Sequence, residues 1–143
     1  MKFALLNNIN QNTENPSEEE IFLVTVQLIV AVAFIVSWLT NAILTYDLYL
    51  KKTGQKPLFK DDTASKIGTY NQCYTLALII VIVFINYNYI KVSKEKENGN
   101  VNSAIGQFIV SLLTLSASTL SLFILLRNLE RQFNRNDLEN SEV

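Results

Sequence analysis

The residues best able to do chemistry in this chain are hydroxyls and carboxamides, and they are spaced as if they share a surface. Ser103, Gln107, Ser111, Thr114, Ser118 and Ser121 recur at spacings of 4, 4, 3, 4 and 3. At about 100° per residue they fall within an arc of about 80° on one helix face. Such a face has two uses. Small side chains let another helix approach closely, and their hydroxyls bond across the seam. Alternatively, the same groups line water when several copies assemble around a pore. Alternating steps of three and four match a left-handed helix pair, so packing is the favoured reading. Ser116 falls on the opposite face, so the polar residues are not confined to one side.

A second group lies earlier in the chain. Ala33, Ser37, Thr40 and Asn41 share an arc of about 100° on one helix, and Thr69, Gln72, Cys73 and Ala77 stand near the start of the next. Ala33, Ser37, Asn41 and Gln72 are read as helix-packing positions, with Asn41, Gln72 and Ser118 expected to bond together in a helical interior. Asp47 precedes Lys51 by four residues, the spacing at which a helical carboxylate and ammonium pair.

Missing residue types narrow the function further. The chain has no His and a single Cys, which removes imidazole bases, His metal sites and intramolecular disulfides together. Cys73 is read as a small packing residue. Net charge is −1, so no global field draws nucleic acid. No catalytic, cofactor-binding or metal-ligating residue is expected, nor a small-molecule substrate, and the protein is expected not to be an enzyme.

The elements that position these groups are set by three stretches without Asp, Glu, Lys or Arg: Ile21–Tyr46, Ile67–Ile90 and Asn98–Leu126. As helices they would measure about 39, 36 and 43 Å, against a hydrocarbon core of about 30 Å. Soluble helices carry a charged face; these do not. The β-branched run Ile79–Val83 would suit a strand in water, but an isolated strand in lipid leaves its backbone unpaired, so helix is expected. The expected fold is all-α: an integral membrane protein of three transmembrane helices, with the first and third extending beyond the bilayer.

Local signals give the boundaries. Residues 1–16 read as a flexible polar tail. Ser17 and Glu20 form a capping box, and Gly54 followed by Pro57 ends the helix, which gives helix one as 17–53 with its span at about 21–46. A basic loop (54–65) leads to helix two (66–91, span about 67–90), where Asp61, Asp62 or Thr63 serves as a cap. A charged loop (92–101) precedes helix three (102–136, span about 103–126), starting near Asn102 or Ser103. Its amphipathic extension carries Arg127, Arg131 and Arg135, and 137–143 form a tail.

Lys51, Lys52, Lys56, Lys60, Lys66, Arg127, Arg131 and Arg135 flank one side of the spans, against Lys2, Lys91, Lys94 and Lys96 on the other. Eight against four places the N-terminus outside and the C-terminus in the cytoplasm. Three runs, this bias, the polar face from Gln107 to Ser121 and the Arg127–Arg135 series together resemble the class I holins, small phage proteins that open the membrane for lysis. The resemblance implies three spans, an outside N-terminus and a pore-forming role; here the tail mixes its arginines with Glu130, Asp137, Glu139 and Glu142. The function expected first is that of a non-enzymatic structural or accessory subunit. It would work through helix–helix packing in an oligomer or larger membrane complex, with the bilayer and other membrane helices, from its own copies or partner subunits, as its partners. The alternative is a self-assembling, holin-like channel lined by the polar face of helix three.

Overall fold

Three α-helices make up the computed structural model, which describes residues 16–96 and 99–141. They are α1 (Glu18–Lys52), α2 (Asp61–Glu95) and α3 (Val101–Ser141). All three are long and apolar enough to cross a membrane. The tail expected over residues 1–16 lies outside the described residues up to position 15.

Both ends of α1 follow from local chemistry. The Ser17 hydroxyl accepts from the Glu20 N–H (3.3 Å), and the Glu20 carboxylate accepts from the Ser17 N–H (3.1 Å). This reciprocal box satisfies two of the donors that a helix start leaves bare. At the other end Gly54 adopts φ 73°. The Gln55 N–H then reaches the Leu50 carbonyl (2.9 Å) and the Gly54 N–H reaches Lys51 (3.3 Å). These two bonds are the Schellman pattern, which a left-handed residue makes possible.

The other helix ends differ from the sequence expectation. α2 starts at Asp61, where 66 is expected, with the Ala64 N–H bonded to the Lys60 carbonyl (2.9 Å). Asp61 and Asp62 therefore lie inside the first turn, where carboxylates suit the helix dipole, and the loop is shorter by the same residues. α2 continues to Glu95, and α3 runs through Asn136 to Ser141. These extra turns carry the charges of Lys94, Glu95, Asp137 and Glu139, so hydropathy alone makes them look like loop. Asn100 caps α3, its Oδ1 accepting from the Ser103 N–H (3.1 Å). Gly99 approaches the Ser93 backbone so closely that a Cβ there would collide with the Ser93 carbonyl.

The described chain divides into two compact units. The first takes residues 16–35 and 77–116. Its core is Leu23 of α1 against Ile85, Tyr89 and Val92 of α2, flanked by Val24, Val26 and Val81. On α1 the covered positions Glu20, Leu23, Gln27, Val30 and Phe34 step by three and four, the period of a left-handed pair. Glu20, besides capping its own helix, is buried and ion-paired with Lys96 just beyond α2. On the α3 side Asn86 donates to the Gln107 carbonyl (3.4 Å), and the Tyr87 and Phe108 rings lie 6.0 Å apart.

The second unit takes residues 36–76 and 117–141. It contains the second part of α1, the connector, the start of α2 and the end of α3. Its buried side chains include Ser37, Asp47, Leu50 and Asn71, so this unit buries more polar than apolar groups.

Candidate functional site: two polar anchors and a cleft

The most developed polar cluster joins α1 to α2 in the second unit. Asn71 Nδ2 donates to the Ser37 carbonyl (3.2 Å) and to Asn41 Oδ1 (2.9 Å). The Thr75 hydroxyl donates to the Asn71 carbonyl (2.8 Å), and the Ser37 and Thr75 hydroxyls lie 2.7 Å apart. A hydroxyl has one proton to give. Thr75 spends its proton on Asn71, so Ser37 donates to Thr75. The donors of Ser37, Asn71 and Thr75 are then all used. This closed clasp holds two helices and leaves none of those donors for a ligand.

A second anchor fastens the connector to α1. Asp47 is 1% exposed. One carboxylate oxygen accepts from the backbone N–H groups of Leu58 (2.7 Å) and Phe59 (3.0 Å). The other meets Lys51 Nζ at 2.7 Å, and the same ammonium reaches Asp61 at 3.0 Å. The expected Asp47–Lys51 pair is present, but the connector covers it. A buried carboxylate needs such company, because an unpaired charge out of water is costly.

The sequence-read site residues can now be placed. Ser37 is buried and Asn41 accepts in the clasp, while Ala33 is half-buried. The partner of Asn41 is Asn71, one position before the half-buried Gln72. On α3, Ser103, Gln107, Thr114 and Ser118 are half-buried, Ser111 is 2% exposed and Ser121 is exposed. Ser111 and Thr114 donate to carbonyls of their own helix, Phe108 (2.7 Å) and Val110 (2.9 Å). The Ser118 hydroxyl is buried without a hydrogen-bond partner among the described residues, and it does not join Asn41 as expected. Ser116, on the other face, is exposed.

Asn71, Thr75 and the Glu20–Lys96 pair escaped the sequence reading. One residue is about 100° of helix rotation, so Asn71 and Gln72 are separated only by knowing which way α2 faces. Thr75 had a usable signal, since it lies four residues beyond Asn71 on the same face. The second unit also holds a partly open cleft of about 450 Å³, bordered by the first turns of α2 and by Leu129, Gln132 and Asn136 of α3.

No protein-family model, curated protein or solved structure matches this chain.

Proposed function

We propose that this is a multi-pass membrane protein that acts as a non-enzymatic structural or accessory subunit, packing its helices in an oligomer or larger membrane complex. The carrying observation is what the three helices expose. Trp38 is 76% exposed in the middle of a charge-free run, and Ile29, Ile35, Leu113, Leu120 and Phe123 are exposed as well. Exposed apolar side chains in such number suit lipid or partner helices and are unfavourable in water. Of the most apolar stretch of α3 only 6% is buried, against 22% for α1 and 28% for α2. The third helix therefore has the most surface to offer a partner.

The charge bias supports the N-terminus outside and the C-terminus in the cytoplasm. All eight cations of the richer side, from Lys51 to Arg135, belong to the second unit. The pore alternative would need the polar face of α3 to meet water. Its central member, Ser111, is covered by its own chain, which supports packing instead.

Membrane extraction followed by reconstitution tests the reading. The protein stays in the membrane fraction at alkaline carbonate, migrates in mild detergent above its monomer mass, and gives no conductance in planar bilayers. Discrete conductance steps from the purified chain would replace the subunit reading with the pore.

A further inference from the structure

The cleft in the second unit has a lining that points to one class of ligand. Its charged residues are Lys66 and Asp62 on α2 and Glu130 on α3. None of the three makes an ion pair among the described residues, in contrast to Asp61, which meets Lys51. The Thr69 hydroxyl gives its proton to the Ser65 carbonyl (2.9 Å), and Tyr70 and Phe133 add broad apolar surface. The two rings are 72% and 67% exposed, so neither is covered by the protein itself. A volume of about 450 Å³ lies within the range of small-molecule sites, about 300–1,000 Å³.

The position along the chain matters as much as the lining. Lys66 immediately precedes the charge-free run that begins at Ile67, and Glu130 follows closely on the run that ends at Leu126. In a membrane-spanning chain those positions belong to the headgroup layer, where Tyr side chains are also favoured. A purely cationic site there would suit any anionic lipid. This one sets a single ammonium beside two carboxylates.

We propose that the cleft binds the headgroup of a phospholipid carrying both a phosphate and a primary ammonium. This inference rests on the membrane reading above. Lys66 receives the phosphate as a charge-assisted donor. Asp62 and Glu130 receive the ammonium, and Tyr70 and Phe133 lie along the first part of the acyl chains.

The test is native mass spectrometry of the full chain in mild detergent. Dihexanoyl phosphatidylethanolamine, phosphatidylcholine and phosphatidylglycerol are supplied as separate probes. The ethanolamine lipid is retained about tenfold more than either of the others, the effect of about one strong charged contact. Glu130→Gln abolishes that preference, whereas Lys66→Gln lowers retention of all three lipids and Lys66→Arg restores it. Equal retention of the three lipids, preference for the glycerol lipid, or an unchanged Lys66→Gln overturns the proposal. So does soluble phosphoethanolamine competing as well as the lipid, which would assign the site to a free metabolite. Carbonate extraction of the same preparation separates the two failures. A chain that leaves the membrane refutes the membrane reading, whereas one that stays and shows no lipid preference refutes the cleft alone. Unchanged helicity and elution of the variants show that loss of lipid is not loss of fold.

Discussion

The two units join α1 to α2 by opposite means. In the first, Leu23 meets Ile85, Tyr89 and Val92. In the second, Ser37 and Asn41 meet Asn71 and Thr75 through directed hydrogen bonds. In water the apolar joint would be the stronger, because burying each large side chain is worth about 1.5–3 kcal/mol. In lipid the ranking changes. Acyl chains are as apolar as Leu, so association there depends on close packing and on polar bonds between helices. An apolar contact also tolerates sliding and rotation. The clasp does not, because a step of one residue turns Asn71 about 100° away from Asn41. The polar joint thus fixes register, and the apolar joint fills space around a register already fixed.

The strongest way to break this contrast is to remove Asp47. Asp47→Ala strands two backbone N–H groups, at Leu58 and Phe59, and leaves the Lys51 ammonium with Asp61 as its remaining carboxylate. It should lower the thermal midpoint more than any other single change discussed here. It should also free the connector, so that trypsin cuts at Lys60 in the folded protein. Asp47→Asn keeps an acceptor and should be milder. An intact connector in Asp47→Ala would show that the anchor does not hold it.

The clasp comes next. Asn71→Leu keeps bulk but removes the two Nδ2 bonds to α1. The expected loss is about 1–3 kcal/mol, the cost of leaving buried polar groups unpaired. A double-mutant cycle with Asn41→Ala isolates the side-chain contact and should give a coupling of about 0.6–1.7 kcal/mol, as found between membrane helices. Additivity of the two substitutions would mean that the register is set elsewhere.

The apolar joint gives the test that separates lipid from water. Leu23→Ala in a soluble core costs about 2.7–5 kcal/mol. In a membrane protein the unfolded reference still keeps Leu23 among apolar groups, so the transfer part of that cost falls away. Reversible unfolding in mixed micelles should show a loss below about 2.5 kcal/mol. A value at the upper end of the soluble range would count against the membrane reading.

How much of this was legible in advance depends on the range of each interaction. The capping box at Ser17 and Glu20 and the left-handed Gly54 are decided within a few residues, and both could be read directly. So could the existence of the three helices, since a charge-free run needs no partner to be recognised. The Asp47 anchor was half legible. Lys51 is four residues away on the same helix, but the Leu58 and Phe59 N–H groups are 11 and 12 residues away across a turn. Helix facing was the least legible. α2 carries Asn71 and Gln72 side by side, and composition cannot choose between them. On α3 the spacing could be read as one face, yet only the packed fold shows that its centre, Ser111, turns inward.

The smallest expected effect sharpens the contrast within that third helix. Ser116 is exposed and its hydroxyl bonds only to the Leu112 carbonyl of the same helix (3.0 Å). Ser116→Leu should therefore change stability by no more than about 0.5 kcal/mol, as surface substitutions do. The same exchange at Ser111 forces a larger side chain into covered space and should cost about 1–3 kcal/mol. Chemical cross-linking gives a second readout. Ser116→Leu should leave the oligomer unchanged if that face meets lipid, and should shift it if that face meets a partner helix. A Ser111→Leu protein as stable as Ser116→Leu would remove the distinction between the two faces, and with it the argument that the polar stripe is a packing seam.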